Sequence, residues 1–433
     1  MALIFDLQLI EELSEGNNSM FRTISHCRIC GSGHLVSVMA LGEQTLTGVF
    51  PRSRTDKITS GPVELVKCAA EDGCGLVQLK QSYDLSEMYG MNYGYRSGLN
   101  ASMVRHLQSK VAKILAMGVL EPGDLVIDIG SNDATTLRAY PQGQYQLVGI
   151  DPTGIKFSSY YPAEIRLIPE FFSADAVAKA LAGRKAKVIT SFSMFYDLED
   201  PIAFAREIEG SLDDEGVWIF EQSYLPAMLR TNSFDTICHE HLEFYALKQI
   251  TWIADKAGLK VLDVEFNDVN GGSFSITAAK TTAKRQPNSG RLNKVLADEM
   301  GLGLDTTQAF DGFKHRVEEA RNALMNFLKK AKIDGKRVCG LGASTKGNVL
   351  LQYYGIDDQL LPEIGDVNED KFGAFTPGTL IPLVPEDQVL ASNPDYLLVL
   401  PWHFRAFFES LPKMKGRTLV FPLPNFEVIR LAG

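Results

Sequence analysis

Short apolar runs and stretches of helical spacing take turns through the middle of the chain. The run LVIDIG, closing at Gly130, is short, continuous and apolar, as a parallel strand buried on both faces requires. Ser131, Asn132 and Asp133 follow, and ATTLRAY has helical spacing, so the pattern predicts strand, tight turn and helix in that order. QLVGI, ending beside Asp151, is a second strand. IRLIPEFFS is a third, ending at Phe171 and Phe172. AKVITSFS gives a fourth, ending near Ser193, and VWIFE a fifth, ending at Glu221. The helical stretches ADAVAKALAG and AFAREIEGSL fill the gaps. Such a series predicts a parallel, doubly wound sheet with its ligands at the carboxyl ends of the strands. Asn132, Asp151, Phe172, Ser193 and Glu221 fall at those ends and should converge on one crevice.

The flanks read differently. MALIFDLQLIEELSEG is expected to form a short amphipathic helix ahead of the body. YDLSEMYGMNYGYRSGLN, residues 83–100, lacks periodicity and reads as a loop over a pocket, with Tyr93 and Tyr95 as its notable side chains. HLQSKVAKILAMG is a helix leading into the first strand of the sheet. GLKVLDVEFNDVNGGSFSITAAK predicts an antiparallel hairpin with Asn270, Gly271 and Gly272 at its turn. TTAKRQPNSG is a polar linker, residues 306–332 form a long amphipathic helix, and KRVCGLGASTKGNVLLQYYG opens a second α/β unit. The expected organisation is an extension over 1–24, a cysteine-bearing module over 25–90, a central α/β domain over 91–282 and a C-terminal α/β domain over 283–433.

A length of 433 residues suits two or three domains. A net charge of −10, with no basic stripe, argues against a nucleic-acid partner. No apolar run is long enough to span a bilayer, and the N-terminus has no basic region of the secretory type, so no membrane association and a cytoplasmic location are expected. Four of the six cysteines, Cys27, Cys30, Cys68 and Cys74, lie in the first fifth of the chain. Clustering of that kind favours a metal over disulfides in a reducing compartment. Cys27-Arg-Ile-Cys30-Gly is a zinc knuckle, but five residues separate Cys68 from Cys74 where a zinc ribbon has two. The expectation is a structural zinc on four thiolates, against an alternative of four buried cysteines.

Asp151 stands 21 residues after Gly130, the spacing at which an acid reaches a ribose hydroxyl. A dinucleotide needs glycine at all three positions of its turn, and here the second and third are Asn132 and Thr135, with Asp133 beside them. An acidic turn suits a ligand with a ribose, no phosphate and a positive sulfur. S-adenosylmethionine is such a ligand, with Asp128, Gly130, Asn132, Asp151, Phe172 and Ser193 as its candidate contacts. CHEHLEFY concentrates proton-handling groups after the fifth strand. His239, Glu240 and His241 are consecutive, so they cannot all face one way, and the H-x-x-x-H spacing of a metal site is absent. General acid/base work fits better, because a histidine can both take and give a proton near neutral pH. Ser344 and Lys346, where GLGASTKGN opens a helix, make a candidate anion site, against a plain strand-to-helix turn.

A cysteine module, then VIDIGSND, FEQSYL, CHEHLEFY and NGGSFSIT, then GLGASTKGN, resembles the three-domain, zinc-containing sugar C-methyltransferases acting on nucleotide-linked 4-keto-6-deoxyhexoses. The resemblance covers nearly all of the chain beyond residue 25. It implies a central class I S-adenosylmethionine-dependent methyltransferase domain of Rossmann-like fold, a small N-terminal zinc-binding module and a second Rossmann-like domain that helps hold a nucleotide-diphospho-sugar. It also implies methyl transfer to C-3 through an enolate, by a monomer. His241 becomes the leading catalytic group, with Glu240 beside it and Tyr95 near the sugar. Tyr93, Glu221, Asn270, Gly271, Ser344 and Lys346 become the substrate contacts. A Tyr can stand in the family pattern where this chain has Cys238, which leaves His239 or Tyr95 as alternatives for the base. An NAD-linked oxidoreductase, an O- or N-methyltransferase on another small acceptor, and a non-enzymatic zinc-bearing scaffold remain alternatives.

Overall fold

The computed structural model describes residues 21–84, 88 and 95–433. The N-terminal helix expected before residue 20 and the side chain of Tyr93 lie outside the described residues.

The N-terminal module contains β1 (Phe21–Thr23), β2 (Leu35–Thr45), β3 (Ser60–Cys68), β4 (Val77–Leu79) and β5 (Gln81–Tyr83). The central domain carries β6 (Leu125–Ile129), β7 (Gln146–Ile150), β8 (Ile165–Ile168), β9 (Ala186–Phe192) and β10 (Leu212–Ser223), then β11 (Glu243–Phe244), β12 (Leu259–Asn267) and β13 (Ser273–Lys280). All but β11 form a seven-stranded sheet in the order β12-β13-β10-β9-β6-β7-β8. Its five strands from β10 to β8 run parallel, and β13 and β12 close one edge as the expected antiparallel hairpin. Every residue of β6 is buried, which is why LVIDI has no polar alternation.

The third domain has β14 (Val338–Leu341), β15 (Ile364–Asp366), β16 (Leu383–Pro385), β17 (Tyr396–Val399), β18 (Thr418–Phe421) and β19 (Glu427–Arg430). They lie in the order β16-β15-β14-β17-β18-β19, a doubly wound sheet with one antiparallel edge strand. The molecule therefore has two topological switch points, β6/β9 and β14/β17, where doubly wound sheets bind ligands.

Two local expectations are corrected. ATTLRAY is not an α-helix: Ala134 is left-handed (φ 61°), and only a single 3₁₀ turn, Leu137–Ala139, follows. The Asp133 carboxylate takes the Thr135 amide and hydroxyl at 3.2 and 2.5 Å, satisfying locally a group that would otherwise start a helix. The third strand stops at Ile168, because Pro169 has no amide to extend the ladder, and Phe172 stands on the following loop.

CHEHLEFY is irregular chain, and its end, β11, pairs antiparallel with β4 of the N-terminal module. One apolar cluster runs from β2 and β3 through Phe234–Phe244 into the third domain, while Cys27, Cys68 and Cys74 belong to a second cluster shared with the central sheet. The small module is thus built into both larger domains.

Candidate active site

At the first switch point the chain leaves β6 through Gly130 and Asn132, both left-handed (φ 69° and 50°). Asp151, at the end of β7, holds this turn. Its carboxylate accepts from the Asn132 amide at 2.8 Å and from the Thr153 amide and hydroxyl at 2.7 and 2.6 Å. The Asn132 side chain accepts from the Ser97 amide at 3.0 Å and donates to the Tyr95 carbonyl at 3.2 Å. Asp133 accepts from the Gly98 amide at 3.0 Å. Residues 95–98 are thereby drawn over the turn as a roof.

Beneath lies a cavity of ≈ 290 Å³. Asp128, Gly130, Asn132, Asp151, Phe172 and Ser193, the six donor-site residues expected from sequence, all line it, and so does Tyr95. Asp197 and Glu199, from the loop after β9, line it too. Its described wall therefore carries four carboxyl groups and neither lysine nor arginine. Burial lifts the Asp128 carboxyl to about 7, against the hydrogen bond it accepts from Thr190 at 2.5 Å. Such a wall repels a pyrophosphate and attracts a cation, so the residues fit S-adenosylmethionine and do not fit a dinucleotide.

Phe234–Tyr245 packs against Tyr196 on the loop after β9, whose neighbouring residues line this cavity. A His241 ring nitrogen, Nδ1, lies 2.8 Å from the Thr236 carbonyl, which can only accept, so Nδ1 carries the hydrogen and Nε2 keeps its lone pair. The ring packs edge-on against Tyr196 with centroids 4.4 Å apart. Burial, reinforced by the charge on Lys346, lowers its pKa to about 4, so it is a neutral base at pH 7. Burial raises the Glu240 carboxyl, and its Oε2 has no hydrogen-bond partner. His239 points away: fully buried, it meets the Gln44 carbonyl at 3.2 Å and packs edge-on against Tyr83. Cys238 is buried, and burial with the neighbouring Glu240 pushes its thiol well above the usual range.

The second switch point faces the same segment. Gly342 is left-handed (φ 78°), and the next turn opens the helix Thr345–Tyr354, whose N-cap Ser344 accepts from the Gly347 amide at 3.0 Å. Lys346 reaches out of this helix to the central hairpin, where Nζ donates to the Asn270 carbonyl at 2.6 Å. Burial lowers the Lys346 pKa, and Asp235 pulls it the other way. Beyond β17, Trp402 Nε1 donates to Asp235 at 2.8 Å. His403 follows, and burial together with the Lys346 charge keeps its imidazole neutral. Gly271 (φ 92°) is pinned here, since a Cβ would sit 3.2 Å from Ser233 Oγ and 3.6 Å from the Trp402 ring. Asn270, Gly271 and Lys346 are brought together. Glu221 is not with them; it is held by His106 at 2.5 Å, Lys110 at 2.5 Å and Asn267 at 2.8 Å. Burial raises its carboxyl, and these partners more than reverse the shift.

Sequence reasoning missed Tyr196, Asp197, Glu199, Asp235, Trp402 and His403. The switch-point rule, applied also to the second sheet, points to the end of DYLLVLPW and the residue after it, and so to Trp402 and His403. Asp235 carried no signal beyond being an acid in a largely buried stretch.

In the N-terminal module the Sγ atoms of Cys27, Cys30, Cys68 and Cys74 lie within 4.8 Å of one another, with Cys27–Cys74 at 3.4 Å and Cys30–Cys68 at 3.5 Å. A tetrahedral zinc with bonds of about 2.3 Å sets sulfurs about 3.8 Å apart, so the donor set fits zinc. The long Cys68–Cys74 spacing is taken up by a turn in which the Gly73 amide donates to the Ala70 carbonyl at 2.9 Å. A Cβ on Gly73 would stand 2.8 Å from Cys68 Sγ, so only glycine passes there. With four thiolates the site is closed and structural.

Comparison with known proteins places three family models in succession along the chain: a zinc-binding domain over residues 27–89, a methyltransferase domain over 100–264 and a C-methyltransferase C-terminal domain over 268–424. C-methyltransferase NovU of Streptomyces niveus is 28% identical over 420 residues, which cover 94% of this chain and 97% of that protein. Among solved structures, magnesium protoporphyrin IX methyltransferase of Synechocystis PCC 6803 with bound S-adenosylmethionine superposes with a TM-score of 0.31 at 15% identity, over 41% of this chain and 79% of that one. Mitomycin 7-O-methyltransferase MmcR does so with a TM-score of 0.31 at 13% identity, over 37% and 49%. Among the described residues no helix is long and apolar enough to cross a membrane.

Proposed function

This chain belongs to the S-adenosylmethionine-dependent C-methyltransferases, and from that premise we propose that its acceptor is a nucleotide-linked 4-keto-6-deoxyhexose, methylated at C-3 beside the ketone. The observation that carries this reading is a neutral histidine, His241, set between Tyr196, on the loop that lines the acidic cavity, and the charge of the buried Lys346.

A saturated carbon becomes nucleophilic only when a neighbouring ketone lets its proton leave as the enolate forms. His241 Nε2, with its lone pair free, takes that proton. Its Nδ1–H bond to Thr236 fixes the ring and steadies the imidazolium that results. Glu240, its carboxyl held toward the protonated form by burial, donates to the enolate oxygen, with Tyr95 closing the sugar pocket. S-adenosylmethionine, when bound, supplies an electrophilic methyl on a cationic sulfur. Asp151 is assigned to its ribose, Phe172 to its adenine, and Asp128, Gly130, Asn132 and Ser193 to the rest of its cradle.

Lys346 and the Ser344 hydroxyl are assigned to the diphosphate, with Asn270 and Gly271 forming the wall between sugar and nucleotide; Tyr93 is kept as a sugar contact. His239 is assigned a packing role, because its nearest polar partner is a backbone carbonyl of the zinc module.

The test is turnover of a panel of keto-deoxysugar nucleotides with S-adenosylmethionine, read by product mass. A gain of one methyl by at least one member is expected. Turnover only of hydroxyl or amine acceptors would overturn the reading.

A further inference from the structure

The loop Ser193–Glu199 is shared by the two halves of the site. Ser193, Asp197 and Glu199 line the donor cavity, while Tyr196 carries the His241 ring. Tyr196 also accepts, through its carbonyl, from the Leu242 amide at 2.8 Å, so the residue after His241 is tied to the wall of the donor pocket. The Leu242 carbonyl in turn accepts from the Leu79 amide at 2.8 Å, which ties the same residue to β4 of the zinc module.

Arg28 joins these ties. It lies inside the knuckle, between Cys27 and Cys30, and its side chain is only 3% exposed. Its guanidinium donates to the Leu79 carbonyl at 2.6 Å and to Ser82 Oγ at 2.8 Å. Nε donates to Glu199 at 3.3 Å and stands 3.7 Å from the buried carboxylate of Glu243, two residues past His241. Arg22 meets Glu199 as well, at 3.0 Å, but from an exposed position. In a small module whose folding is coupled to its metal, the knuckle is held in place by the metal's ligands. One planar side chain rooted there thus reaches the end of the shared loop, the strand that holds Leu242, and the segment that carries His241.

We propose that Arg28 is a positioning residue that sets His241 against the donor cavity, so that the zinc module fixes the distance between base and methyl donor. This rests on the reading of His241 as the base. Arg28 touches no reactant. It acts through geometry, and misplacement of a reacting group by about 1 Å costs about a hundredfold in rate.

The test uses the full-length, zinc-loaded protein with Arg28→Lys. Lysine keeps the charge, but one ammonium cannot make the forked contacts to Leu79, Ser82 and Glu199 together. The expected result is undiminished zinc by metal analysis, S-adenosylmethionine affinity within about threefold by calorimetry, and kcat lowered at least about tenfold with a smaller change in KM. Ser82→Ala removes a single contact and should lower kcat about two- to threefold in a protein that folds normally. Histidine nitrogen NMR, with the His241 signal assigned by its loss in His241→Gln, gives a readout that needs no substrate: the single Nδ1–H tautomer of the parent should become a mixture in Arg28→Lys. Absence of turnover by the parent protein on the sugar panel, with that tautomer change present, would sink the substrate reading and leave the positioning role standing. A kcat within about twofold of the parent in both variants, with an unchanged His241 signal, would overturn the proposal. Loss of zinc or of donor binding in step with kcat would do the same, because Arg28 would then be holding the fold rather than the geometry.

Discussion

The two doubly wound sheets use one topological device and line it with different chemistry. At β6/β9 the cavity presents four carboxyl groups and no basic side chain among its described residues. At β14/β17 the corresponding position presents Lys346, with Trp402 and His403 across from it. Backbone geometry at both is a strand, a left-handed glycine and a sharp turn, so the difference between them lies in the side chains. Side-chain charge separates them: the first wall is acidic throughout, whereas at the second the cation Lys346 stands beside the acid Asp235. The segment from Phe234 to Tyr245 stands where the two meet, and His241 feels Lys346 directly.

The sharpest break in this comparison is His241→Gln. Removing the base should lower kcat by about a thousandfold, within the range that general bases supply, and leave S-adenosylmethionine affinity by calorimetry within about twofold. Next is Asp151→Ala at the first switch point. Loss of charged hydrogen bonds worth about 2 kcal/mol should weaken S-adenosylmethionine about thirtyfold, with sugar-nucleotide affinity unchanged in equilibrium binding. Lys346→Met is the mirror experiment. It should raise the KM for the sugar nucleotide about tenfold and spare the donor.

That same variant makes a smaller, signed prediction in the pH profile. The His241 pKa is lowered chiefly by burial and further by Lys346, to about 4, so in the parent protein the acid limb of kcat/KM should lie below the usual histidine range. Taking away the neighbouring positive charge should move that limb upward. Stability follows the same linkage. His239 and His241 both have folded pKa values near 4, below the unfolded value of 6.5, so the folded state binds fewer protons between those limits. The stability of the neutral forms is fully present above pH 6.5 and is lost as the pH falls toward 4. Thermal melts across this window should show it.

The central fold was legible because buried parallel strands leave long apolar runs, and LVIDI, QLVGI and VWIFE are such runs. The donor cavity was legible for the same reason: its residues follow strand ends, where position in sequence dictates position in space. The helix expected after Gly130 was not, because Asp133 spends its carboxylate on the turn itself. Nor could sequence say that β11 joins the zinc module, since a strand of only two residues leaves no periodicity to read. His239, Glu240 and His241 are adjacent in sequence yet diverge, His239 toward Gln44 and His241 toward Tyr196, through contacts with distant parts of the chain that no local pattern encodes. Glu221 stands at a strand end like the donor residues, but its face of the sheet is covered by the helix Ala101–Ala116, whose His106 and Lys110 take the carboxylate.

The central claim is that carbon, made nucleophilic beside a ketone, receives the methyl group. It is tested most directly by supplying S-adenosylmethionine with a carbon-13 methyl and a keto-deoxysugar nucleotide, then recording the product by NMR. The label is predicted to appear as a methyl bonded to the carbon next to the ketone, with no label formed by His241→Gln. A labelled methyl bonded to oxygen or nitrogen would contradict it.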